Sequence, residues 1–171
     1  MARDFSFFED GIRRIAGQLP GMPQDRVVLN RLFFCVFREL DDVYNQHLAR
    51  HGLNTSSFLA LAMLLGRPDN RLNPGDLSEV LIASRTNVTR LVNDLVAAGW
   101  VTRAVSEADR RKVDLSLTAS GRERMRVLMP EMWQLVERQW HEFSADEMAI
   151  LGRLLRRMLQ ALAGRDLSEA A

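Results

Sequence analysis

The sequence predicts a mainly α-helical fold with a small β-hairpin. Apolar residues recur at helical spacing over most of the 171 residues, and the segments at both ends are long and amphipathic. Alternation replaces this spacing near residue 113, where Val113, Leu115 and Leu117 share one face of a strand. Strand-forming residues also fill 101–105, and the polar turn SEADRR joins the two strands. One hairpin among amphipathic helices is therefore expected.

The composition is that of a globular protein, with 47% hydrophobic and 26% charged residues. No apolar run reaches the ~18 residues of a membrane span, and acidic residues interrupt the amino-terminal apolar stretch, so we expect neither a membrane helix nor a signal peptide. The sequence contains no glycine-rich phosphate loop, nucleophile elbow or zinc-protease motif and does not predict an enzyme. The net charge is only +1, but residues 84–112 hold six basic and three acidic residues.

Residues 1–52 predict two helices that serve dimerisation. The first spans residues 4–18, where apolar residues lie at helical spacing, and the sequence LPGMP breaks it. The second runs from Gln24 to about Arg50. Their apolar surface exceeds what one small module needs to cover its own core, so we expect a second copy of the chain to cover it.

Residues 53–98 predict three short helices, of which the last two form a helix-turn-helix. The segment LNTSSFLALAMLLG is a capped helix, and the polar loop RPDNR follows at 67–71. Asn73 as N-cap and Pro74 at the first helical position then open the next helix. In the first two helices we expect the buried residues to be Phe58, Leu61, Ala62 and Leu65, and Leu77, Val80 and Leu81.

The last of these helices, at about residues 84–98, has the character of a DNA recognition helix. Ser84 is a good N-cap, and Gly99 before Trp100 suits a left-handed helix stop. The apolar stripe is Val88, Leu91, Val92, Leu95 and Val96. The remaining surface is small, polar or basic: Arg85, Thr86, Asn87, Thr89, Arg90, Asn93 and Ala97. Such a face suits the major groove, because Arg can bond guanine and Asn adenine bidentately.

The hairpin at about residues 101–117 carries its cations at the tip, which is typical of a wing that follows the DNA backbone or enters the minor groove. Residues 53–118 thus predict a winged helix-turn-helix DNA-binding domain. In the remaining region, 119–171, Thr118 caps a helix bent at Pro130, and the capping box SADE opens a last amphipathic helix. We expect these helices to serve dimerisation and the terminal GRDLSEAA to fray.

Five segments lie between Leu53 and Arg122, and the most specific signal in them is the DRR tip followed at a fixed distance by an alternating strand, LT and a glycine. The segments are LNTSSF, NPGDLSEVL, SRTNVTRLVNDLVAAGWVTR, EADRRKVDLSLT and SGR. They resemble the MarR family of winged-helix regulators, most of all its branch of multidrug-efflux repressors. The resemblance implies a homodimer with intertwined terminal helices on a pseudo-palindromic operator, and an aspartate at the wing tip that orients the arginine entering the minor groove. The predicted DNA-binding residues are Ser84, Arg85, Thr86, Asn87, Thr89, Arg90, Asn93, Asp109, Arg110 and Arg111.

Two positions depart from the family's pattern. Ala104 stands where many relatives have a basic residue, so one phosphate contact from this strand is not expected here. Ser57 replaces a common glutamine. The second change has no expected consequence for DNA binding.

The resemblance also implies a small aromatic or lipophilic effector, bound between the dimerisation helices and the winged helix. Such an effector would favour a dimer conformation whose recognition helices are wrongly spaced for the operator, and so release the DNA. No metal or other cofactor is expected. The candidate effector-binding residues are Phe37, Arg38, Tyr44, Phe58 and Met63.

Three alternatives stay open at the level of sequence. The single cysteine, Cys35, fits a protein of the reducing cytosol. It also allows a regulator that senses oxidants through this thiol, although a thiol within a helix is more often packed. His47 and His51, four residues apart, could bind a metal from one helix face. The simpler interpretation is a pair at a helix end that the helix dipole favours. A winged helix that binds only proteins would show weak DNA binding without salt dependence. The favoured prediction is a cytoplasmic, DNA-binding regulator.

Overall fold

The computed structural model describes residues 5–67, 71–81, 84–106, 109 and 111–163, and for Arg85 the backbone alone. Helices predominate, and the strands form one small sheet, which confirms the predicted fold class. In chain order the elements are α1 (Ser6–Gln18), α2 (Gln24–Ala49), α3 (Thr55–Gly66), β1 (Arg71–Leu72), α4 (Pro74–Val80), α5 (Arg85–Ala97), β2 (Val101–Val105), β3 (Val113–Leu117), α6 (Ala119–Trp140) and α7 (Ala145–Ala163).

The chain divides into two compact units, Met1–Gly121 and Arg122–Ala171. The first contains the helix-turn-helix and the sheet, and the second contains most of α6 together with α7. Within the described ranges, every helix is too short or too polar to cross a membrane. The predicted fraying of GRDLSEAA concerns residues 164–171, which lie outside the described residues.

The sheet is antiparallel, with strand order β1-β3-β2. In the wing hairpin, Val101 pairs with Leu117 and Val105 pairs with Val113, as the predicted alternation requires. Strand β1 was not predicted: Arg71 was assigned to the loop at 67–71, but it pairs with Ser116 of β3. Two residues are too few for a strand pattern, so only the partner strand makes this one visible.

The core of the first unit lies between α2, α3, α4, α5 and the sheet. Two predicted faces were wrong in part: Leu65 points outward while its neighbour Leu64 is fully buried, and Val80 is 59% exposed while Leu77 is fully buried. The apolar stripe predicted for α5 is confirmed at its centre. The largest fully buried side chains of this unit are Leu48, Leu61, Leu64, Leu77, Val88, Val92 and Leu115.

Side chains cap the helices around this core, as their sequences predict. Asn54 and Ser57 form a reciprocal capping box at the start of α3, with the Ser57 amide 2.9 Å from Asn54 Oδ1. Asn73 Oδ1 accepts hydrogen bonds from the amides of residues 75 and 76 at the start of α4. In the second unit, Ser144 and Glu147 form the predicted capping box of α7. These caps satisfy amides that a helix leaves without partners in its first turn.

Candidate nucleic-acid interface

Both ends of α5 are fixed by the residues predicted to fix them. The Ser84 hydroxyl accepts a hydrogen bond from the Asn87 amide at 3.3 Å. At the other end Gly99 has a φ of 73°, and the Trp100 amide donates to the Leu95 carbonyl at 3.1 Å, which is the bond that closes a glycine helix stop. The start and the end of α5 are thus set by local hydrogen bonds.

The residues after β3 tie the end of α5 to the start of α6. The Thr118 hydroxyl donates to the Gly99 carbonyl at 2.7 Å and accepts from the Gly121 amide at 2.9 Å, so it also caps α6 as predicted. The Thr118 amide donates to the Trp100 carbonyl at 3.0 Å. We call residues 99, 100, 118 and 121 the α5–α6 joint.

The two faces of α5 differ as the predicted recognition helix requires. Val88, Val92 and Leu95 are almost completely buried against the rest of the first unit. The described side chains of the opposite face and the first turn are exposed, so polar and basic groups line an open helix surface. The exposed predicted DNA-binding residues on and before this helix are Ser84, Thr86, Asn87, Thr89, Arg90 and Asn93.

The tip of the wing presents an arginine that is held by an aspartate. Asp109 accepts a hydrogen bond from the backbone amide of Arg111 at 3.0 Å and others from its guanidinium, the nearest at 3.2 Å. The Arg111 side chain is nevertheless 92% exposed, whereas that of Asp109 is 30% exposed. The Asp109 carbonyl also accepts from the Lys112 amide at 2.8 Å, which closes the turn. The arginine is therefore fixed in direction and open to solvent.

The electrostatics of the tip favour the ionised aspartate. The backbone amide of Arg111, then its guanidinium, and then the positive charge of Lys112 hold the pKa of the Asp109 carboxyl below its ordinary value. Asp109 is therefore charged at neutral pH and able to pair with Arg111. Of the other predicted DNA-binding residues, Arg110 lies outside the described residues, and of Arg85 only the backbone is described.

The sequence analysis did not single out one basic residue that the structure places next to α5. Arg103 of β2 is exposed, and its Nη2 donates a hydrogen bond to Asn93 Oδ1 on α5 at 2.7 Å. A strand residue whose partner lies ten positions away on a helix leaves no periodic signal in the sequence. Ala104, which stands where many relatives have a basic residue, is exposed.

Among the cavities lined by the described residues, Arg38 and Met63 of the predicted effector-binding residues line different ones. Arg38 lines a groove of about 400 Å³ between α1 and α2, whereas Met63 lines another of about 430 Å³ beside α3 and α4. Phe37 is 72% exposed on α2, and Tyr44 and Phe58 are half-buried. Burial raises the pKa of the Tyr44 hydroxyl. Arg38 is thus the one predicted residue that lines the α1–α2 groove in the described part of the chain.

The residues behind the alternative predictions also have defined places. Cys35 is half-buried and lines the α1–α2 groove together with Arg38. His47 and His51 lie next to each other at the end of α2, with ring centroids 5.7 Å apart, as their spacing requires.

Comparison with known proteins places this arrangement in a family. The family model described as MarR family matches residues 51–112, which include α3, α4, α5 and β2. Transcriptional repressor MprA of Escherichia coli is 30% identical over 162 residues, which cover 95% of this chain and 92% of MprA. The chain belongs to the MarR family. The multiple antibiotic resistance protein MarR of Escherichia coli is 29% identical over 138 residues, covering 78% of this chain and 92% of that protein.

Solved structures of MarR proteins share the fold. A mutant of Escherichia coli MarR complexed with operator DNA superposes with a TM-score of 0.71, at 27% identity, over 81% of this chain and 98% of that one. A MarR family regulator from Streptomyces coelicolor, in complex with DNA, gives a TM-score of 0.77 at 22% identity, over 84% of this chain and 91% of that one. As a member of the MarR family, the protein is a transcriptional regulator and not an enzyme.

Proposed function

We propose that the protein is a cytoplasmic, ligand-responsive transcriptional repressor that binds a pseudo-palindromic operator as a homodimer. The observation that carries the proposal is the pairing of two elements in one unit. One is a helix, α5, that exposes a continuous polar face, and the other is a hairpin that holds Arg111 outward through Asp109. The MarR structure solved with operator DNA and the repressor MprA support it through their likeness to this chain.

On DNA, α5 would lie in the major groove and the wing tip in the minor groove. The thirteen residues of α5 make it about 20 Å long. The major groove of DNA is wide enough to admit an α-helix. Residues near the amino-terminal end of such a helix meet base edges, and in this chain they are Thr86, Asn87, Thr89 and Arg90. The exposed guanidinium of Arg111 suits the narrow minor groove, whose negative potential attracts arginine.

The terminal helices carry the apolar surface that a homodimer needs. Phe34 and Phe37 of α2 are mostly exposed, as is Leu159 of α7, and every described side chain of α7 is at least partly accessible. Large apolar groups in such numbers favour association. We assign residues 1–52 and 119–171 to dimerisation and residues 53–118 to DNA binding. Two half-sites would then lie about one helical turn, ~34–36 Å, apart.

We place the effector, a small aromatic or lipophilic acid, in the α1–α2 groove. The groove is lined mainly by apolar groups, among them Phe8, Leu32 and Val36, and Arg38 stands at its wall. A carboxylate oxygen of Glu39 lies 3.9 Å from the Arg38 guanidinium, a distance at which pairing is loose. An arginine beside an apolar groove matches the carboxylate and the ring of such an acid.

The experiment that tests the proposal is selection of DNA by the full-length protein. A library of random duplexes of about 30 base pairs is long enough to hold two half-sites. We expect enrichment of an inverted repeat and an affinity for it that falls steeply with salt, since phosphate contacts release counterions. No enrichment and no salt dependence would instead favour a module that binds only proteins.

The selected duplex then distinguishes the effector from a redox signal. Aromatic acids such as salicylate should weaken binding of the wild-type protein and have less effect on the Arg38→Ala variant. Peroxide should leave binding unchanged. Release by peroxide that the Cys35→Ser substitution abolishes would support the redox-sensing regulator in place of the ligand-responsive one.

A further inference from the structure

We propose that Asn93 is a positioning residue and not a base-reading residue: it holds Arg103 of the wing beside the recognition helix, where Arg103 binds a phosphate of the operator. The inference rests on the proposed DNA-binding function and changes the role of one residue in it. It also adds a basic contact that the sequence did not reveal.

The first step is the hydrogen bond between the two elements. Arg103 Nη2 lies 2.7 Å from Asn93 Oδ1, and both side chains are on the surface. A guanidinium only donates, so the oxygen of the Asn93 amide must face it. The short distance is typical of a bond with a charged donor. The bond joins α5 to β2 across the turn at Gly99, and so fixes the wing strand to the recognition helix at a second point.

The second step concerns what this bond leaves Asn93 able to do. Reading adenine bidentately requires the amide oxygen of asparagine to accept from the base while the amide nitrogen donates to it. In Asn93 the oxygen is already directed at Arg103. Asn93 also lies six residues after Asn87, about 9 Å farther along the helix, whereas base contacts come from the amino-terminal part of a recognition helix.

The third step is the direction from which Arg103 reaches α5. Side chains alternate along a strand, so Arg103 shares a face of β2 with Val101, which is buried, and it pairs with the buried Leu115 of β3. Arg103 thus emerges from the core-facing side of the hairpin at the edge next to α5. It lies between the helix proposed for the major groove and the tip proposed for the minor groove, where a phosphate backbone separates the two.

The test is a double-mutant cycle on the duplex selected by the wild-type protein. It uses Asn93→Ala, Arg103→Ala and the double variant. Affinity is measured over a series of salt concentrations, and base preference over all single base-pair changes of the duplex. Asn93→Asp is the decisive fourth variant, because aspartate keeps an acceptor for Arg103 but lacks the amide donor that reads adenine. Asn87→Ala serves as the positive control for lost base reading, and Thr102→Ala as the neutral control on β2.

We expect Arg103→Ala to weaken binding of all sequences alike, by about tenfold, and to reduce the salt slope by about 1. Asn93→Ala should weaken binding about threefold in the wild-type background and have no effect in the Arg103→Ala background. All Asn93 variants, including Asn93→Asp, should keep the wild-type base preferences. Circular dichroism should be unchanged throughout, since both side chains are exposed.

Two results would overturn the inference while leaving the proposed function intact. One is a loss of preference at a single base pair in the Asn93 variants, as expected for Asn87→Ala. The other is an additive effect of the two substitutions, which would mean that Asn93 does not act through Arg103. If the wild-type protein selects no sequence at all, the proposed function fails, and the inference fails with it.

Discussion

The Asp109 carboxylate accepts two hydrogen bonds from Arg111, one from its backbone amide at 3.0 Å and one from its guanidinium Nε at 3.2 Å. Both bonds end on the same carboxylate oxygen, while a second guanidinium nitrogen approaches the other oxygen at 3.4 Å. The arginine therefore has its direction fixed before any DNA is present. Because a preorganised side chain loses less conformational entropy on binding, we expect the proposed contact of Arg111 with DNA to be stronger than one made by a mobile arginine.

The first prediction concerns this pair. Arg111→Ala should weaken binding to the selected operator by about 1–3 kcal/mol, because it removes the group proposed to enter the minor groove. Asp109→Ala should weaken binding by less, since the arginine remains but is no longer directed. Fluorescence anisotropy of labelled duplex measures both affinities. Thr102→Ala, which changes the neighbouring strand only, is the control. Equal and unchanged affinities in all three variants would remove the wing tip from the interface.

The second prediction concerns the pKa of Asp109. Arg111→Ala should raise this pKa without restoring the ordinary value, because the backbone amide of residue 111, the largest cause of the lowering, is retained. The pKa of Asp109 in the folded protein lies below its value of about 3.9 in the unfolded chain. The contribution of the ionised carboxylate to folding stability is therefore fully present above a pH of about 3.9. It is lost as the pH falls through the folded pKa. Titration of the carboxyl carbon shift by NMR gives the value, and no change on substitution would contradict the guanidinium contact.

The third prediction concerns Arg90 on the exposed face of α5. Arg90→Ala should lower operator affinity by about 1–3 kcal/mol and relax the preference at one base pair of each half-site, since a base contact is specific to one position. Binding to every single base-pair variant of the duplex measures this effect. Arg126→Ala removes the same charge from α6, where Arg126 bonds Glu123 at 2.8 Å. An equal loss in the two variants would attribute the Arg90 effect to net charge alone.

The fourth prediction concerns a close approach within the α5–α6 joint. A Cβ on residue 121 would collide with the backbone carbonyl oxygen of Trp100, and backbone at that point cannot move aside as a flexible side chain does. Gly121→Ala should therefore lower the free energy of unfolding by about 3 kcal/mol. Gly17→Ala, where a Cβ meets nothing within 4 Å, should be neutral or slightly stabilising. Urea unfolding at one fixed protein concentration compares the two, and equal midpoints would contradict the collision.

The fifth prediction concerns dimerisation through α7. Leu159 is 66% exposed, so placing a charge there should disturb an apolar contact with a second copy and leave the single chain folded. Leu159→Glu should shift the protein toward monomer and weaken operator binding. Gln160→Glu adds the same charge one position along, at a residue that is already polar. Sedimentation velocity measures the association of both variants, and a dimer that survives Leu159→Glu would exclude this face from the interface.

Local signals made much of this structure predictable. Ser84, Gly99 and Thr118 act on neighbouring backbone, so a sequence that contains them at the right spacing specifies where α5 and α6 begin or end. Polar residues separate the apolar positions around Val88 and Val92, so their spacing fits only an amphipathic helix. Asp109 and Arg111 lie only two positions apart, and the resemblance to the MarR family already implied their pairing.

What the sequence did not reveal depends on distant partners. In α3 apolar residues occupy nearly every position, so periodicity alone could not choose Leu64 over Leu65 for the core. Strand β1 exists only because Arg71 and Leu72 meet β3, which lies more than forty residues later. The bond between Arg103 and Asn93 likewise needs the turn at Gly99 to bring its partners together. The groove proposed for the effector combines α1 with α2, and no sequence motif marks it.

The α5–α6 joint sets a rule for building chimeric regulators. Thr118 bonds both the Gly99 carbonyl and the Gly121 amide, so a DNA-reading module cut out at the predicted boundary of residue 118 would separate the cap of α6 from the helix that it caps. It would also face a foreign residue at 121, where only glycine clears the Trp100 carbonyl. A module moved between regulators should therefore carry its own chain through Gly121, so that the new sequence begins one helical turn into α6.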